Sequence, residues 1–270
     1  MIAHKTWREV RGMCFVYLGI LELLILSFIL TWPITREMVS KPGILKALLG
    51  RLPEPSFKEA LQALGQSSES SAYAAYLAAQ YYMNNCNVVG IACAVLMGTG
   101  AISRERESGT LEFLLSRPVS RASVLWNKYW VIAAAIVVPI FLSSLSIFPL
   151  SLWLVDMKVP IDRLLLASAH SSIFVLSFLS MTIWFSALFK AQVHVAFAIG
   201  GVIVVQASTF FIKGVRDFSI FQFADFFTYG PIMAGNGNWS RLFWGSEIWL
   251  VMGCLFFYAL AAQRLRRVDV

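Results

Sequence analysis

The chain of 270 residues is 58% hydrophobic and only 14% charged, with a mean hydropathy of +0.70 and a net charge of +7. Soluble domains carry about 25% charged and 45–50% apolar residues, so this composition excludes an ordinary soluble enzyme and indicates an all-α membrane protein. The positive balance is spread along the chain and forms no single soluble patch, which excludes a nucleic-acid-binding domain; it reads as topology and contact with anionic lipid.

A helix rises about 1.5 Å per residue across a hydrocarbon core of about 30 Å, so each span needs roughly 20 apolar residues. Six runs meet or approach that length: Met13–Trp32, Cys86–Ile102, Tyr129–Val155, Leu164–Phe189, Val193–Ile212 and Ile248–Ala262. They predict one transmembrane domain over residues 1–270. Lys5, Arg8 and Arg11 precede the first run, and Arg264, Arg266 and Arg267 come after the last. Cytoplasmic flanks are enriched in such residues, which predicts both termini on the cytoplasmic side of the membrane.

Residues 1–12 come first. Ala3, Trp7, Val10 and Cys14 share one helical face, with His4, Lys5, Arg8 and Arg11 opposite. This pattern predicts an amphipathic elbow helix lying in the membrane interface, with a frayed, charged N-terminus as the alternative. The next run is too long for a signal peptide, and Trp32-Pro33-Ile34 is not a small-residue cleavage site, so it stays as an anchor. Glu22 sits in its middle, where a carboxylate costs several kcal/mol unless neutral or paired. It is either a substrate, proton or ion contact, or a protonated carboxyl bonded to a neighbouring helix.

Residues 33–83 read as a long external loop with helices of its own. Ile44, Leu45, Leu48, Leu49 and Leu52 recur at helical spacing, Pro53-Glu54-Pro55 breaks that helix, and Ser56-Phe57-Lys58-Glu59 is a capping-box pattern. Phe57, Leu61 and Leu64 make a second stripe, and residues 65–71 form a Ser-rich hinge. The two helices either lie on the lipid surface or dock an extracytoplasmic protein. Further on, Pro139 and Pro149 predict kinks in the third span, and Gly200-Gly201 a close helix approach in the fifth. Residues 213–245, with Phe218, Phe221, Phe223, Phe226, Phe227 and Gly230-Pro231, predict short helices partly sunk in the membrane. Trp32, Trp153, Trp244 and Trp249 mark outer ends of spans, and Trp126, Trp130 and Trp184 inner ends. Cys14, Cys86, Cys93 and Cys254 all lie in or at apolar runs without Cys-x-x-Cys spacing, which predicts packing residues and no metal site.

The densest polar stretch between two spans is residues 102–121, ISRERESGTLEFLLSRPVSR. Leu111, Leu114 and Leu115 lie at i, i+3 and i+4, while Glu105, Glu107 and Glu112 alternate with Arg104 and Arg106. Gly109 permits a tight turn, Thr110 can cap a helix starting at Leu111, and Pro118 stops that helix. Ser120 can cap the next one, which carries Arg121 at its start and Lys128 two turns on. The expectation is a short amphipathic helix held between breakers, with an apolar ridge suited to a groove on a partner.

These residues resemble the permease subunits of type 2 ABC transporters, in which the second and third spans are joined by a segment reading roughly Glu-x-Glu-x-Gly-Thr-Leu-Glu, then Leu-Leu-Ser-x-Pro-Val-Ser-Arg, then a Lys. Glu105, Glu107, Gly109, Thr110, Leu111 and Glu112 match the first part, and Leu114, Leu115, Ser116, Pro118, Val119, Ser120, Arg121 and Lys128 the second. The long loop 33–83 departs from the simplest members of that family and leaves the substrate class open. The resemblance implies that 102–121 is a cytoplasmic coupling helix docking on a separate ATP-binding subunit, which would hold the ATP and Mg. It implies polar contacts to that ATPase from Glu105 and Glu107, groove packing by Leu111, Leu114 and Leu115, and a second permease chain, identical or not.

The chain itself has no Gly-x-x-x-x-Gly-Lys-Ser/Thr phosphate loop, so ATP hydrolysis is expected from another subunit and no cofactor from this one. His170, Ser171 and Ser172 are consecutive on one helix and point in different directions, so they form no triad; His170 is a helix contact or a substrate-pathway residue. The expected function is that of an ATP-driven exporter permease. The alternatives are an ABC permease acting on an extracytoplasmic partner, as in metal-centre maturation or motility, and an ATP-independent transporter using Glu22.

Overall fold

The computed structural model describes residues 2–41, 55–65, 68–110, 120–212, 214–236 and 242–266. Among these there are eight helices: α1 (Ile2–Ser40), α2 (Pro55–Leu64), α3 (Glu69–Glu107), α4 (Arg121–Val155), α5 (Ile161–Leu188), α6 (Gln192–Phe211), α7 (Phe226–Ala234) and α8 (Phe243–Arg266). All but α2 and α7 are long and apolar enough to cross a membrane. Successive spans run antiparallel, so Ile2 and Arg266 lie at the same end of the bundle. We call this end proximal and the other distal.

No elbow separates the N-terminus from the first span, because α1 is one helix of 39 residues. Its buried positions, Thr6, Val10, Cys14, Tyr17, Leu21, Ile25, Ile29 and Trp32, advance in steps of three and four without interruption. One seam therefore packs along α4 from the first turn onward, and Gly12 is too weak a breaker to divide it. Of the apolar face expected there, Val10 and Cys14 are buried, whereas Trp7 is exposed and Thr6 is buried beside them. At the other end α1 runs through Pro33.

The second long helix likewise starts far upstream of Cys86, at Glu69, so the connection between the first two long helices is shorter than 33–83. Ala72–Ala79 are buried without a break, and the chain then widens into a π-helical segment, Ala78–Cys86. There Tyr81 bonds Ser143 (2.7 Å) and Tyr82 bonds Ser144, while Tyr73 above them bonds Ser151 (2.6 Å). A ladder of phenols on α3 thus meets a ladder of hydroxyls on α4. π turns leave carbonyls poorly matched; here Asn85 Nδ2 donates to Gln80 O (2.6 Å). Trp32 joins this cluster, buried against Tyr73 and Tyr76 at centroid distances of 5.1 and 5.2 Å, so it is a core residue and no interface marker.

α2 begins with Pro55 at a first-turn position, where proline costs nothing, and packs on α1, α3 and α7. Arg36 Nη1 caps it at Leu64 O (2.9 Å), and Ala60 and Leu64 are buried, so it docks on its own chain. The helix expected over Ile44–Leu52 lies outside the described residues.

α5 is the central post, contacting α3, α4, α6, α7 and α8. The expected close approach at Gly200-Gly201 is not there: a Cβ on either would meet nothing within 4 Å. Close approach occurs at α3 instead, where a Cβ on Gly90 would lie 2.7 Å from Val175 Cγ2 and one on Gly98 2.9 Å from Thr182 Cγ2. α4 runs through Pro139 and Pro149 as a single helix. At the distal end, two 3₁₀ turns (Arg216–Phe218, Ile220–Ala224) and α7 fold back over α3 and α5, with Phe221 against Phe174 and Phe178. Asp225, buried, caps α7 at Phe226 N (2.7 Å) and pairs with Arg216.

Candidate coupling site

The proximal end of α3 turns at Gly100–Ile102 and resumes as one tight helical stretch, Ser103–Glu107. Gly109 ends that stretch with a φ of +68°, a left-handed conformation that glycine adopts without a Cβ penalty. Gly109 N donates to Arg106 O (3.2 Å) and Thr110 N to Glu105 O (2.9 Å), the paired bonds of a Schellman C-cap. The Thr110 hydroxyl lies 2.9 Å from that of Ser108, so it belongs to this cap. Leu111, Glu112, Leu114, Leu115 and Pro118 lie outside the described residues. At Ser120 the described chain resumes, and its hydroxyl caps α4 by accepting from Ser123 N (3.1 Å).

Four consecutive charged residues in this stretch take four different directions. Arg104 is exposed. Glu105 turns inward and is only 6% exposed. Its Oε1 lies 2.9 Å from Lys128 Nζ on α4 and 3.2 Å from Lys5 Nζ on α1, and Lys128 Nζ also donates to Ala101 O (2.6 Å). Glu105 is therefore a bolt between three helices and does not present its carboxylate to a soluble partner. Arg106 Nη1 donates to Ala187 O (2.8 Å) and Leu188 O (3.5 Å), the last carbonyls of α5. Glu107 Oε2 accepts from Gln192 N (3.2 Å), the first amide of α6. Upstream, Ser186 Oγ accepts from Ile102 N (2.9 Å) and Ser103 N (3.0 Å) and donates to Thr99 O (2.9 Å). At the start of α4, Arg121 Nη1 donates to Leu265 O (3.2 Å) and Arg266 O (3.0 Å), the C-terminal end of α8. Residues 99–128 thus touch all six spans at one end of the bundle. Helix ends leave carbonyls and amides unpaired, and Arg at a C-terminus or Glu at an N-terminus satisfies both the hydrogen bond and the helix dipole.

Glu22 and His170 stand elsewhere. Glu22 Oε2 accepts from Ser146 Oγ on α4 (2.7 Å), a hydrogen bond between helices with no ion partner among the described residues. His170 is 1% exposed; its Nδ1 is 2.5 Å from Glu247 Oε1 on α8 and its Nε2 2.6 Å from Phe223 O. Its ring sits edge-on to Tyr229, whose hydroxyl joins Ser171 (2.7 Å) and Asn87 (2.9 Å). His170 therefore ties the distal segment and α8 to α5. Neither residue lines the main groove, a space of about 650 Å³ between α3 and α6 with Phe221 and Ala224 at its distal end. That groove is apolar apart from Asn84 and Asn87, two residues sequence reasoning passed over. Among the described residues, no three His, Cys, Asp or Glu side chains converge as metal ligands would.

One polar junction thus joins the ends of all the long helices. The profile of the ABC-2 family transporter protein matches residues 7–221. The chain belongs to that family. ABC-2 permeases are transmembrane proteins without an ATPase domain of their own, and they work with ATP-binding subunits. No curated protein matches this ABC-2 permease in sequence.

Proposed function

We propose that this ABC-2 permease is the membrane-spanning half of an ATP-driven exporter in the cytoplasmic membrane, with its proximal end and both termini in the cytoplasm. A separate ATPase docks on residues 104–121 through Arg104, Glu112 and the ridge of Leu111, Leu114 and Leu115, and a second permease chain completes the assembly. The observation that carries this reading is the convergence of all six spans on residues 99–128. A displacement of the coupling segment is felt by Lys5 on α1, Lys128 and Arg121 on α4, and the ends of α5, α6 and α8. Glu105 contributes from inside, by holding the segment in place, and makes no contact with the ATPase. The apolar groove between α3 and α6 supports an apolar or amphipathic substrate.

The test is purification of the tagged chain from its native membrane in mild detergent. Co-purifying proteins are identified and vanadate-sensitive ATP hydrolysis is measured for wild type and for a Leu114→Asp, Leu115→Asp variant. A soluble ATPase retained by wild type and lost by the variant supports the reading. Absence of any ATPase with wild type under several mild conditions refutes it.

A further inference from the structure

We propose that Arg106 and Glu107 form a two-point clamp on the α5–α6 turn, through which movement of the coupling segment reaches α6 and thereby one wall of the groove. This rests on the exporter reading and gives Glu107 a role other than the ATPase contact that the resemblance implies. The two side chains are neighbours in sequence yet hold opposite ends of a three-residue connection. Arg106 takes the negative end of α5 at Ala187 O and Leu188 O, and Glu107 the positive end of α6 at Gln192 N. Each charge complements the dipole it faces, so exchanging or removing them acts on geometry and electrostatics together.

The rest of α6 explains why this grip matters. α6 is among the least buried spans, with only Val195, Ile199 and Phe210 buried. Val193, Phe197, Val204 and Val205 face outward, and a Cβ on Gly200 or Gly201 would meet nothing within 4 Å. Its polar holds lie at its two ends. Proximally, besides Glu107, Gln192 Nε2 donates to Thr99 Oγ1 (3.1 Å). Distally, Gln206 O accepts from Ser219 Oγ (2.7 Å) and Gln206 Oε1 from Ile220 N (2.9 Å). A helix held at its ends and loosely packed between them moves with its ends. Ile203, Ala207, Phe210 and Phe211 of α6 form the groove wall opposite Val88, Ile91 and Val95 of α3. Pulling the proximal end of α6 therefore tilts the helix about Gln206 and changes the width of the groove at its proximal side, beside Val95 and Leu96. Glu107 is on this account a positioning residue, and its exposed side chain is there to hold Gln192 N rather than the ATPase.

The experiment uses the intact complex with its native ATPase in lipid nanodiscs, with and without ATP and vanadate, read by hydrogen exchange on peptides covering 101–110 and 189–205. Wild type, Glu107→Ala and Glu107→Gln are compared; the glutamine oxygen can still accept from Gln192 N. The expected result is a nucleotide-dependent exchange difference in both regions of wild type. Glu107→Ala should lose the difference in 189–205 and keep it in 101–110, with the ATPase still bound, and Glu107→Gln should restore it. Retention of the 189–205 difference in Glu107→Ala overturns the clamp, as does a wild-type response confined to 101–110. Loss of the ATPase from Glu107→Ala overturns it too, by making Glu107 a docking residue. No response in either region of wild type refutes the exporter reading itself, and the clamp with it.

Discussion

The Glu105–Lys128 pair permits a prediction whose sign and asymmetry both come from geometry. The two charges are 2.9 Å apart, and their side chains are 7% and 6% exposed. At an effective dielectric of 20 that separation corresponds to an attraction of about 6 kcal/mol, most of it offset by the cost of desolvating both ions. Removing one partner of such a pair leaves the other buried alone, typically at about 3–5 kcal/mol. The third member breaks the symmetry. Lys5 also reaches Glu105 (3.2 Å), and its side chain is 54% exposed. Lys128→Met therefore leaves Glu105 with a counter-charge and should cost only about 1–2 kcal/mol. Glu105→Gln leaves the Lys128 ammonium with neutral acceptors, the new amide oxygen and Ala101 O, and should cost about 3–5 kcal/mol. The double variant buries neither charge and should be more stable than Glu105→Gln alone. Thermal unfolding in detergent, monitored by tryptophan fluorescence, reads these differences at about 2–4 °C per kcal/mol for a chain of comparable size. Equal losses from the two single variants would refute the role given to Lys5, and a double variant whose loss is their sum would refute the pairing itself, because additivity means that Glu105 and Lys128 do not interact.

Two further substitutions test the packing around the site. At Gly90 a larger side chain meets Val175 at once, so Gly90→Leu should lower stability by about 1–3 kcal/mol through overpacking, and Val175→Ala in the same chain should recover part of the loss in the same melting assay. His170→Phe keeps the bulk but leaves Glu247 and Phe223 O without their partner; a loss of about 2–4 kcal/mol is expected. Glu247→Gln, whose amide can still donate to Nδ1, should cost less than half as much. If the two changes prove equal, the ion-pair character of this contact outweighs its hydrogen bonds.

The six spans were legible because hydropathy over a 20-residue window is a direct physical measure of insertion. Their ends were not, and the reasons differ. The first span reads as Met13–Trp32 after a separate elbow, yet one seam of buried residues from Thr6 to Trp32 carries a single helix through Gly12, and that helix continues past Pro33. Residues 72–82 read as leading into the second spanning helix, but Tyr73, Tyr76, Tyr81, Tyr82 and the asparagines after them depress hydropathy and moved the apolar run itself down to Cys86, although these tyrosines are buried. The signal that could have revealed it was the matching set of serines on α4: Ser143, Ser144 and Ser151 face Tyr81, Tyr82 and Tyr73. The direction of Glu105 was not legible in the motif that suggested a coupling segment. An alternating run of Arg and Glu reads as a solvated surface, and only the turn at Gly100–Ile102 and the position of Lys128 reveal that one member of the run points inward.

The distribution of tight and loose contacts bears on how such a chain moves. Gly90 and Gly98 bring α3 against α5 so closely that a single added carbon would collide, and the tyrosine–serine ladder fastens α3 to α4. Packing this close resists relative sliding, so α3, α4 and α5 are expected to move as one unit. α6 has the opposite character. It exposes most of its surface and is held by side chains at its termini. A groove bounded by the tightly packed α3 on one side and the loosely packed α6 on the other changes shape at least cost by moving α6. The proximal handle on α6 is Glu107, one residue from the arginine that grips α5. On the proposed clamp, the motif expected to dock an ATPase would also, through Arg106 and Glu107, reach the ends of α5 and α6.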